Sequence, residues 1–158
     1  MSPEIIIIGV GSILRGDDGV GPRVIDELEK QNLPKNVLLH SGDICGLDLL
    51  KVFPGHDRVI IIDAARMGMP AGTVKIFNFT EIKKSDFKNI YSTHGMSLLE
   101  TLTLGHELGV DPEIIVIGVE PLSTDPALAL SPAIKAIIPD LIDKIKNCID
   151  DLSRSRNC

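Results

Sequence analysis

The stretch Ile5–Pro22, IIIIGVGSILRGDDGVGP, constrains the fold of this chain more than any other. Four consecutive isoleucines have no polar face, so a strand built from them needs cover on both sides, as in the parallel sheets of α/β proteins. The glycines that follow mark where the backbone turns tightly before a helix beginning near Val20, with Pro22 in its first turn. Asp17 and Asp18 thereby fall at the C-terminal edge of the strand, where open α/β sheets bind their ligands.

Two simpler readings of this stretch are weaker. Gly9-Val10-Gly11 opens like a dinucleotide-binding loop, but Leu14 stands where the third glycine belongs, and two carboxylates would repel a pyrophosphate. Asp18 could cap the following helix. Capping accounts for one acid and leaves the other unexplained.

Further apolar runs suited to buried strands lie at Val37–His40, Val59–Ile62 and Ile114–Val119. Helices are expected at Val20–Lys30, Gly46–Phe53, Met96–Leu108 and Pro132–Leu152, with Gly109 as a stop signal for the third. Gly72–Phe79 alternates polar and apolar residues, which suits a half-exposed edge strand, open to antiparallel pairing. The alternation of strand and helix predicts a three-layer α/β sandwich: a mostly parallel twisted sheet of about five strands with helices on both faces. With 158 residues and 44% hydrophobic content, residues 1–152 are expected to form a single domain and residues 153–158 a flexible tail.

The formal net charge of -6, with no basic run longer than Lys83-Lys84, argues against a nucleic acid or an anionic membrane as partner. No apolar run approaches the roughly 20 residues that cross a bilayer, so no membrane insertion is expected. Cys45, Cys148 and Cys158 are odd in number and lack CxxC pairing, which indicates neither a disulfide framework nor a cysteine zinc site. Together with an N-terminus that passes into a strand without a basic leader, this predicts a cytoplasmic protein.

Asp63 ends the third hydrophobic run and is expected at the same sheet edge as Asp18. His94 lies in the polar stretch Tyr91–Met96 leading into the third helix, and βα topology brings that loop to the edge as well. Alone, Asp63 could make a turn and His94 a surface hydrogen bond. Together with Asp18 they make a site for a divalent transition metal, with a coordination position left open for water or substrate. Asp17 is assigned to shaping the loop. Other candidates fall away: His106-Glu107 has Val110 where HExxH needs histidine, Ser12 lacks a GxSxG frame, and Cys45 has no flanking cation. His40 and His56 carry no motif and read as structural.

Three separated blocks, Gly9–Ser12 through Gly16–Pro22, Ile62–Gly68 with Pro70–Val74, and Ser92–Leu98, together with Ile117–Pro121, resemble the hydrogenase maturation endopeptidases. The resemblance implies an enzyme that removes a short C-terminal extension from the large-subunit precursor of a nickel-iron hydrogenase after nickel insertion. It implies Asp18, Asp63 and His94 as metal-contacting, catalytic residues, and nickel supplied by the substrate, with zinc or cadmium as surrogates. A free monomer is expected. Many members carry an aspartate where this chain has Ser41, followed by Gly42 and Asp43, and that position bears on partner and metal recognition. A rival of another class is a nickel-sensing or chaperone-like module that binds the precursor without cutting it.

Overall fold

The isoleucine strand lies inside a sheet, as its composition requires. In the computed structural model, which describes residues 5–42, 46–79, 91–92, 98–110 and 112–154, β1 (Ile5–Val10) is fully buried and pairs in parallel on both sides. Its neighbours are β2 (Val37–Gly42) and β3 (Arg58–Arg66). The edge beyond β3 is built later in the chain, by β4 (Val74–Asn78), a two-residue β5 (Tyr91–Ser92) and β6 (Glu113–Val119). Spatial order is β2-β1-β3-β6-β4: four parallel strands and an antiparallel β4 at the edge, with β5 paired separately to β3.

Alternate side chains of each strand serve opposite faces. Ile5, Ile7, Ile60, Ile62, Ile117 and Val119 join the core under α1 (Val20–Glu29) and α3 (Pro132–Arg154). Ile6, Ile8, Val59, Ile61, Ile114 and Val116 pack on the other side with Leu49 and Phe53, and with Leu102 of α2 (Leu98–Glu107). Helices therefore cover both faces of the sheet. Burying each such isoleucine is worth about 1.5–3 kcal/mol, so the two clusters supply the main driving force for this layering. Gly21 lets α1 sit directly on the sheet: a Cβ there would lie 2.6 Å from the carbonyl oxygens of both Ile62 and Val10.

Several element boundaries depart from the sequence reading. The helix expected at Gly46–Phe53 is a 3-10 helix that ends at Lys51. The third helix is described over Leu98–Glu107, and its expected start at Met96 lies outside the described residues. α3 runs past Leu152 through Ser153 and Arg154, with the Ser153 hydroxyl donating to the Ile149 carbonyl at 2.8 Å. One correction matters for function: Asp63 does not end its strand, because β3 continues to Arg66. Ala64 pairs with Val119 of β6, while Ala65 and Arg66 pair with Ser92 and Tyr91 of β5. Partners distant in sequence thus extend the strand beyond its apolar run.

Candidate active site

Gly9 of β1 lies opposite Ile62 of β3, so the register carries Asp63 to the level of Val10, the last residue of β1. Across the other side Asp63 faces Gly118 of β6. By strand alternation it shares the face of Val59 and Ile61, the one covered by α2, and it is 2% exposed.

Asp18 reaches the same edge by a different route. After β1 the chain turns back through Ser12 and enters a 3-10 turn, Gly16–Gly19, packed against β3. The Ser12 N–H donates to Oδ2 of Asp18 at 2.9 Å, and Asp18 is fully buried. Gly11, at φ 133°, is required here, because a Cβ would overlap the Asp18 carbonyl oxygen. Capping does not explain either acid: the residue before α1 is Gly19, and no side chain caps that helix.

Asp17, also fully buried, accepts four hydrogen bonds. They come from the backbone N–H groups of Leu122, Ser123 and Ser131 and from the Ser131 hydroxyl, at 2.7 to 3.3 Å. This is the loop-shaping role expected of it: its charge holds the β6–α3 connection and is not offered to a ligand. Glu120, immediately after β6, plays the same part for the β3–β4 connection. Its carboxylate accepts the N–H groups of Met67 and Met69 at 2.8 and 2.9 Å. Sequence reasoning assigned Glu120 no role, although an acid directly after a buried strand was the available signal.

Of the expected triad, the structure brings Asp18 and Asp63 to one edge. His94 lies outside the described residues. The chain approaching it is placed, since Ser92 pairs with Ala65, two residues after Asp63. Ser41 sits opposite Gly9 near this edge, whereas Asp43, Cys45 and Cys158 lie outside the described residues. His56 lies at the other end of the sheet, beside Asp57 and Phe53 at the start of β3. Cys148 is on α3, across the sheet from Asp63; burial, and then the charge of Asp151, push its thiol above the ordinary range.

Two buried carboxylates on one edge concentrate negative potential, and burial of such charges is costly unless a cation or hydrogen-bond donors compensate. Oxygen donors of this kind suit a divalent metal. Among the described residues no three histidine, cysteine or acidic side chains group for metal binding.

The family model for hydrogenase maturation proteases matches residues 22–148. A hydrogenase 2 maturation protease of Escherichia coli is 31% identical over 146 residues, 90% of this chain and 88% of that protein. The hydrogenase expression/formation protein HupD of Rhizobium leguminosarum is 32% identical over 145 residues, covering 90% of this chain and 72% of its own length. The solved structure of the hydrogenase maturating endopeptidase HybD from E. coli superimposes with a TM-score of 0.78 at 28% identity, over 96% of this chain and 93% of that one. These matches, together with the sheet order described above, establish that the chain belongs to the hydrogenase maturation proteases, a family of peptide hydrolases.

Proposed function

We propose that this protein removes the C-terminal extension of a nickel-iron hydrogenase large-subunit precursor, acting as a monomer in the cytoplasm, and that nickel carried by the precursor directs the cut. The observation that carries this reading is the pair of buried carboxylates, Asp18 and Asp63, delivered to one sheet edge by separate elements. Asp18, Asp63 and His94 approach the precursor's nickel and so hold the adjacent peptide bond in place. The nickel polarises the carbonyl or acidifies a bound water, and one carboxylate accepts that water's proton. Water oxygen bonds to the carbonyl carbon, the C–N bond breaks, and the proton passes to the departing amine. No helix among the described residues is long and apolar enough to cross a bilayer.

The test is mass spectrometry of purified precursor incubated with this protein. Nickel-loaded precursor should lose its C-terminal peptide while nickel-free precursor stays intact. Equal cleavage of both would replace metal direction with conventional proteolysis. Stable binding without any loss of mass would favour a precursor-binding module.

A further inference from the structure

Among the described residues, four large apolar side chains stand out to solvent on two segments beside Asp18. Ile13 and Leu14 are 45% and 59% exposed in the β1–α1 connection; Leu122 and Leu128 are 60% and 74% exposed in the β6–α3 connection. The two connections are laced together. The Ala127 N–H donates to the Leu14 carbonyl at 3.0 Å, the Gly16 N–H to the Ala127 carbonyl at 2.9 Å, and the Asp17 N–H to the Ser123 carbonyl at 3.1 Å. The Asp17 carboxylate adds its bonds to Leu122 and Ser123. Single exposed leucines are common, but four carried by one hydrogen-bonded platform beside a reactive edge mark a contact surface.

We infer that this platform seats an apolar stretch of the precursor's polypeptide flanking the bond to be cut. The inference rests on the function proposed above and assigns it a docking surface. The choice of occupant follows from continuity with the reactive edge. Ser12, whose N–H holds the Asp18 carboxylate, directly precedes Ile13, and Asp17, which ties down the second segment, directly precedes Asp18. A polypeptide whose scissile bond reaches Asp18 is therefore brought beside the segments that carry these side chains. Both segments are already ordered by main-chain bonds, so little loop entropy is lost when the substrate arrives.

Steady-state cleavage of nickel-loaded precursor by Leu14→Ser/Leu128→Ser tests this, with Leu128→Ser alone as a second variant. Leu108→Ser, 66% exposed just beyond α2, is the control. We expect KM to rise about tenfold or more in the double variant and by a smaller factor in the single one, with kcat within about twofold of wild type and thermal melting unchanged, as uniform binding loss requires. Leu108→Ser should match wild type. Unchanged KM in the double variant, with wild type cleaving normally, overturns the platform and leaves the proposed function standing. A wild-type dimer in sedimentation that the double variant dissolves, again with unchanged KM, would make a second copy the occupant and also overturn it. Failure of wild type to bind or cleave the nickel-loaded precursor removes the proposed function, and the platform's occupant with it.

Discussion

Ser131 donates twice to Asp17, from its backbone N–H at 2.7 Å and from its hydroxyl at 2.8 Å, across 114 positions of sequence. Ser131 immediately precedes α3, so the buried carboxylate also lies at that helix's positive end. Asp17→Ala would leave four donors without their acceptor, two on Ser131 and one each on Leu122 and Ser123. We expect a loss of about 3–5 kcal/mol in urea unfolding for Asp17→Ala and about 2–3 kcal/mol for Asp17→Asn, whose amide group turns a donor toward donors. An unchanged unfolding midpoint in Asp17→Ala would remove Asp17 as the anchor of this connection.

Glu120 should act more locally. Glu120→Gln keeps one acceptor oxygen and loses the other, so one of the Met67 and Met69 amides loses its partner. Native-state hydrogen exchange should show one of those two amides less protected by about 1–2 kcal/mol, with core amides such as Ile60 and Ile117 unaffected. Equal exchange in both proteins would mean that the carboxylate does not hold the loop.

Gly21→Ala tests the close seating of α1 on the sheet. The added Cβ would meet backbone oxygens of Val10 and Ile62 that no side-chain rotation can relieve. The helix must shift, at a cost of about 3 kcal/mol, read as a lowered melting temperature. Wild-type stability would show that α1 does not need this approach.

Cys148 supplies a pH signature. Its thiol pKa is raised by burial and by Asp151, so the folded protein holds that proton more tightly than the unfolded chain does. The corresponding contribution to stability is present below the unfolded thiol's pKa and is lost as pH rises through the folded one. Peptide mapping after iodoacetamide treatment near neutral pH should find Cys148 labelled far more slowly in native than in urea-unfolded protein. Equal labelling rates would contradict its protected state.

Metal binding addresses the ligand set directly. Cadmium, zinc or nickel added in excess should bind modestly, since the proposed ligands are two carboxylates and one imidazole without thiolate. Titration calorimetry should show the heat lost in Asp18→Ala and in His94→Ala. Undiminished binding in both variants would place the metal elsewhere.

The layering was readable because it rests on local pattern: the isoleucine run of β1 allows only a strand covered on both sides, and Gly72–Phe79 alternates as an edge strand must. The extent of β3 was not readable. Ala64, Ala65 and Arg66 have little strand preference of their own and are held by Val119 and by the short β5, both distant in sequence. The convergence of Asp18 and Asp63 followed from parallel topology alone, whereas the tasks of Asp17 and Glu120 depend on which loop amides come within reach. A sequence shows that an acid sits after a strand, but not whether its oxygens meet backbone donors or a ligand.

In the proposed function Asp63, buried at the edge it shares with Asp18, acts on the precursor's nickel. Asp63→Asn is nearly isosteric and removes the charge, so it separates ligation from folding. The decisive measurement is the mass of nickel-loaded precursor after incubation with Asp63→Asn protein whose fold is verified by circular dichroism. We expect the precursor to remain uncut while wild type removes its C-terminal peptide; processing by the folded variant at the wild-type rate would contradict the role given to Asp63.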